Sequence, residues 1–212
     1  MIKDDFSVEG TPSGALWKCY GNPVCRGGKL LLESSADLVV SARKLLWDEG
    51  ATIEIVFDSG FGSMQLSRYD ISKRPSDVEG VPYDSVDIGS GPSVRFIRDG
   101  AIYSSVTVYY PIKVTIQSQK DKISVYVEGK DWFGRPYPKT LLLETENRFL
   151  NQELFIYIAG GALAVDGIYA VEGRESLSYS MSVLLYSVMA LVPLLILIPL
   201  MREMKKVVKP AE

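Results

Sequence analysis

The stretch GKDWFGRPYPK crowds Asp131, Trp132, Phe133, Arg135 and Tyr137 into one short connection. A flat aromatic beside a charged hydrogen-bonding group is how a surface loop holds a sugar ring or a partner chain. The same residues suit a second role, in which Trp132 and Phe133 fold back to plug the end of a β-sandwich. A second motif is CYGNPVC. Gly21, Asn22 and Pro23 read as a turn between two short strands, and Cys19 and Cys25 are expected to form a disulfide across it in an exported domain. Two reduced, buried thiols are the alternative. The chain has no histidine. That removes the commonest general base and zinc ligand, and excludes Ser-His-Asp and Cys-His catalysis. Glu54 and Asp58 share one face of a strand but stand roughly 13 Å apart, too far for the carboxylate pairs of glycoside hydrolysis. They read as solvated outward residues. Asp4, Asp5 and Asp166 are the candidates for calcium, but no loop has EF-hand spacing. No cofactor is expected, and calcium stays open.

The elements that must position these residues are strands. KLLLES, DLVVSAR, ATIEIVFDSG, SMQLSRYDIS, KTLLLETE, ELFIYIAGG and LAVDGIYAVEG alternate or run apolar between turn signals. KVTIQSQKDKISVYVEGK is the clearest hairpin, with its turn at Lys120–Asp121. Alternation with one polar side implies antiparallel sheets, and the spacing of turns implies a sandwich or barrel. SARKLLWDEG is read as a short turn of helix. Residues Lys73 to Pro92, rich in Pro, Gly, Ser and Asp, read as a long surface loop.

The C-terminus has a different character. No charge appears between Glu175 and Arg202. As a helix, residues 176–201 would reach roughly 39 Å, against about 30 Å of hydrocarbon. Arg202, Lys205, Lys206 and Lys209 follow, so the positive-inside rule places the tail in the cytoplasm and the N-terminal domain outside. MIKDDFSVEG has no apolar signal-peptide core, which leaves the export route open. The expected organisation is a β-sandwich ectodomain at 1–173, a transmembrane helix at 174–201 and a short basic cytoplasmic tail at 202–212. Of the 26 acidic and 23 basic residues, two and four lie beyond Glu175. Residues 1–175 therefore carry a net charge of −5, which argues against nucleic acid as a partner.

Three motifs carry a family resemblance. DDFSVEGTPSGALWKCYGNPVCRGGKLLLES resembles the opening of concanavalin A-like, laminin-G-like jelly rolls. KISVYVEGK is similar to their internal strand and turn, and LFIYIAGGALAVDGIYAVE to their closing strand. The resemblance implies an all-β, two-sheet antiparallel jelly-roll sandwich that binds carbohydrate or protein, in some members with calcium. The acidic strand motif of the family's glycosidases has no match here. The expected function is a non-catalytic, membrane-anchored domain that binds surface glycans or a neighbouring protein. The alternative is a structural protein of a virion envelope or an accessory subunit of a larger membrane assembly. An anchored glycosidase ranks below both. The expected partners are the lipid bilayer and a glycan or protein.

Overall fold

The computed structural model describes residues 1–91 and 93–173. Residues 1–174 form one compact unit. The expected membrane helix and basic tail lie outside the described residues. Among the described residues no helix is long and apolar enough to cross a membrane.

The described chain is all-β. Its strands are β1 (Ile2–Asp4), β2 (Trp17–Tyr20), β3 (Val24–Arg26), β4 (Lys29–Leu32), β5 (Leu38–Ser41), β6 (Leu45–Trp47), β7 (Thr52–Ser67), β8 (Asp84–Ile88), β9 (Ser93–Arg98), β10 (Ala101–Thr107), β11 (Tyr109–Ser118), β12 (Lys122–Lys130), β13 (Pro136–Glu146) and β14 (Gln152–Val171). One 3-10 turn, Pro75–Asp77, interrupts them.

Two long strands organise the fold. β7 and β14 pair antiparallel along nearly their whole length. The first half of β7 also pairs with β11 and its second half with β8. The pair is thus shared by two leaves. The first leaf runs β14-β7-β11-β12-β13, with β1 and β4 on the far side of β14. The second runs β14-β7-β8-β9-β10, with β5 and then β2 on the far side. The crossover falls where Gly60 and Gly160 let the two backbones meet. Gly60 has φ +90°, and a Cβ there would lie 1.6 Å from the Ala162 carbonyl oxygen. A Cβ on Gly160 would lie 2.5 Å from that of Phe61. Glycine alone tolerates such an approach.

The alternation read from the sequence places the core between the leaves. Ile53, Ile55, Phe57, Val114, Ile116, Val125 and Val127 of the first leaf pack in one cluster with Met64, Leu66, Val86, Phe96, Ile156 and Ile158 of the second. The open edge is tied by polar groups. Arg98, on β9, grips the buried Asp84 with two bonds of 2.8 and 2.9 Å and donates to the Glu146 carbonyl of β13 at 2.9 Å. The Ser104 hydroxyl donates to the Leu142 carbonyl at 3.0 Å.

The structure corrects four expectations. SARKLLWDEG contains strand β6, not a turn of helix, because Leu45 and Trp47 bury on one side while the strand pairs with the start of β14. Residues 73–92 are not one loop, since β8 lies inside them. ATIEIVFDSG with SMQLSRYDIS, and ELFIYIAGG with LAVDGIYAVEG, are each one continuous strand. The fourth correction concerns the cysteines. β2 pairs with β5 and β3 with β4, not with each other. The Asn22 amide donates to Asp37 Oδ1 at 2.8 Å, which leads residues 21–23 onward instead of back in a hairpin. Cys19 and Cys25 are therefore free thiols, and no disulfide joins them. Burial, with Asp4, Cys19 and Glu9 adding to it, pushes the Cys25 thiol up to about 11.

Candidate binding face

Residues directly opposite on paired strands share a face. On the outer side of the second leaf this rule assembles two rows. In one, Ser63, Asp87 and Arg95 stand side by side on β7, β8 and β9. In the other, Gln65 stands opposite Ser85. The turn Pro75–Asp77 closes over one side. Ser76 accepts from Gln65 Nε2 at 3.0 Å and donates its amide to Gln65 Oε1 at 3.1 Å. Gln65 also donates to Ser63 Oγ at 3.0 Å. Farther across β14 and β5 the same face turns apolar, with Tyr157, Val40 and Leu38 packed under Ile71. The Tyr157 hydroxyl accepts from the Ile71 amide at 3.1 Å and donates to the Tyr69 carbonyl. The segment after β7 thus walls one side of a polar floor.

The floor holds charge that the fold does not consume. Asp87 accepts a hydrogen bond from the Ser85 hydroxyl. Arg95 stands directly opposite, yet no ion pair joins them among the described residues, and Arg95 Nε is buried without a hydrogen-bond partner. Burial raises the Asp87 carboxyl above the ordinary carboxylate range, and Ser85, Arg95 and Arg74 offset only part of that. Phe61 is two residues before Ser63 and so on the same face. It is 46% exposed. Its ring covers Gly161, where a Cβ would come within 3.1 Å of it. A carboxylate, a guanidinium and a flat ring therefore share one open surface.

The residues expected from the sequence to form the site occupy the turn between β12 and β13. Asp131 Oδ1 accepts from the amides of Phe133 and Arg135 at 2.8 and 2.9 Å, and Oδ2 accepts from Arg135 Nε at 2.7 Å. Desolvation pushes this carboxyl up, but the bonds from Arg135 and Phe133 outweigh it and hold it below the ordinary range. Trp132 and Phe133 are 76% and 77% exposed, so they do not plug the sandwich. Arg135 lies over the Phe133 ring at 5.0 Å. Tyr137 parts from the group and packs against the core.

Asp4, Asp5, Glu54 and Asp58 are engaged within the fold. Among the described residues no three His, Cys, Asp or Glu side chains cluster to hold a metal. Asp4 is spent on the Phe6 amide and Trp17 Nε1, both at 2.8 Å. Asp5 accepts from the Ser7 amide at 3.2 Å. Glu54 and Asp58 are held by Lys113 and Lys29 at 3.0 and 2.7 Å.

No protein-family model matches the chain, and no curated protein matches it. Solved structures do. The VIP36 exoplasmic/lumenal domain, in a Ca2+/Man-bound form, aligns with TM-score 0.58 and 9% identity over 74% of this chain and 83% of that one. The Emp47p carbohydrate recognition domain aligns with TM-score 0.56 and 14% identity over 80% and 93%. LamAcat from Zobellia galactanivorans aligns with TM-score 0.51 and 11% identity over 81% and 97%. This likeness shows the fold alone, an antiparallel β-sandwich of the kind expected from the sequence.

Proposed function

We propose that the domain is a non-catalytic carbohydrate-binding module, tethered to a membrane through residues 176–201, and that the Asp87–Arg95 floor receives the sugar. The observation that carries this reading is the pair itself. Two opposite charges face each other across neighbouring strands without closing an ion pair, and a buried donor is left without a partner. An unmade buried hydrogen bond costs about 1–3 kcal/mol. A sugar suits such a pair, because its vicinal hydroxyls donate to a carboxylate and accept from a guanidinium at once. Phe61 supplies a platform for the apolar face of the ring. The carbohydrate named for VIP36 and Emp47p supports the same class of ligand.

The reading as a binder and not a hydrolase rests on what surrounds Asp87. Its neighbours across the strands are Ser63 and Arg95, and the outward positions along its own strand are Ser85 and then Gly89. Among the described residues no second carboxylate flanks it on the sheet, whereas glycoside hydrolysis ordinarily uses two.

The test is a glycan array probed with residues 1–174, followed by titration of the best-retained oligosaccharide. Binding should fall with Asp87→Ala, Arg95→Met and Phe61→Ala. An array that retains no oligosaccharide, or variants that bind as well as the parent, would refute the proposal.

A further inference from the structure

The turn joining β12 and β13 has a chemistry unlike that of the floor. Its carboxylate is fully used, because both Asp131 oxygens accept bonds from within the turn. Arg135 is committed to Asp131 at 2.7 Å and stacked on Phe133. The Trp132 ring meets Tyr109 edge to face, with centroids 5.6 Å apart. Little remains to read sugar hydroxyls. What the turn offers outward is two apolar rings, more than three-quarters exposed, on a loop that these bonds hold in one shape.

Its charge differs from that of the domain. Residues 130–139 carry Lys130, Arg135 and Lys139 against Asp131 alone, while residues 1–175 are net acidic. The tip is also small. Two aromatic side chains bury about 150–250 Å² each, well short of the roughly 800 Å² per partner that a specific protein interface needs. A narrow, convex tip suits a soft surface that closes around it. Aromatic rings settle at the headgroup level of a bilayer, and basic side chains beside them are drawn to anionic lipid. We propose that Trp132 and Phe133 enter the interface of an anionic lipid bilayer, with Lys130 and Lys139 beside the phosphates.

The position of the turn gives this contact a direction. Lys122 and Lys130 mark the two ends of β12, about 26 Å apart for an extended strand. The Lys122 end lies with the Ser118–Asp121 turn, which bonds to Gly50 and Asn147. The last described residue, Gly173, is held to Asp48 at that same end, its amide 2.6 Å from Oδ1. The aromatic turn is therefore at the end of the sandwich remote from Gly173.

The experiment reads Trp132 directly. Of three tryptophans, Trp17 and Trp47 are 2% and 1% exposed, so collisional quenching of the native domain reports Trp132. Residues 1–174, which close on their own core, are mixed with vesicles of phosphatidylcholine carrying brominated acyl chains, with or without phosphatidylserine. The expected result is quenching only when phosphatidylserine is present. Trp132→Ala with Phe133→Ala should abolish co-sedimentation without lowering the Tm. Lys130→Gln should weaken binding about five-fold. Asp87→Ala should bind vesicles like the parent, which separates this site from the sugar floor. The proposal is overturned by absent quenching, by equal quenching on neutral vesicles, or by undiminished sedimentation of the double variant. Capture of an oligosaccharide or protein by the turn, without vesicle binding, would overturn it too.

Discussion

At the scale of single residues, Asp87 joins stability to function with opposite signs. Its folded pKa is raised by burial, so between the unfolded and folded values the native state holds more protons. Stability therefore falls as pH rises through that window, and the ionised carboxylate opposes folding at neutral pH. Asp87→Asn should raise the Tm at neutral pH, and the gain should vanish in acid, below the unfolded value. The same change should weaken sugar binding about ten- to a hundred-fold, because a hydrogen bond to a charged group contributes about 1.5–3 kcal/mol. Thermal melts across pH with parallel titrations decide it; a variant that melts lower at neutral pH would count against the buried charge. The aromatic turn was legible in the sequence because Asp, Trp, Phe and Gly following a β-strand read as a connection. Asp87 and Arg95 were not, because they border GSGP in a stretch dominated by turn formers. The missed signal was alternation: Val86 and Ile88 point inward on either side of Asp87, and Val94 and Phe96 do so around Arg95. Cys19 and Cys25 misled for a related reason, since GNP marks a change of direction without saying which strand comes to lie alongside.

At the scale of elements, the decisive feature is that β7 and β14 each serve two leaves. Sequence alternation identified the halves, but the glycines between them read as turns that end a strand. In the structure they are where two strands pass from leaf to leaf while staying paired. Gly60→Ala should therefore cost at least about 3 kcal/mol, from a left-handed backbone and a collision with the Ala162 carbonyl together. Denaturant unfolding measures this, and a loss below about 1 kcal/mol would show that the crossover can shift to accept a side chain. The edge tie makes a second prediction. Arg98→Ala leaves Asp84, only 4% exposed, with Arg148 at 2.9 Å as its remaining cation. The loss should be about 3 kcal/mol, the lower end for a broken buried pair. Arg98→Met, which keeps the stem but not the charge, should lose nearly as much if the charge and its bonds matter more than packing.

At the scale of the molecule, these two strands make the domain indivisible. The core takes side chains from both leaves in one cluster, and β14 supplies a central strand to each. The chain's last twelve described residues, from Ala162 on, complete the first leaf by pairing with β1, β4 and β7. A chain ending at Gly161 would leave the β7 edge between Thr52 and Ser59 unpaired and would uncover Phe57, Ile55 and Ile53. A chain ending at Arg174 keeps the whole cluster and the bond from Gly173 to Asp48. The longer form should unfold in one cooperative transition and show strand-type circular dichroism with under about a tenth helix, against about a third in an average globular domain. The shorter form should remain unfolded, even though it retains thirteen of the fourteen strands in full and half of the last. If it melts cooperatively, the second leaf is a domain in its own right. The sugar floor on its outer face would then fold without the first leaf, which carries the aromatic turn. If it does not, floor and turn are bound to one folding event, and a variant in either can be read as a change of surface only after its melt has been measured.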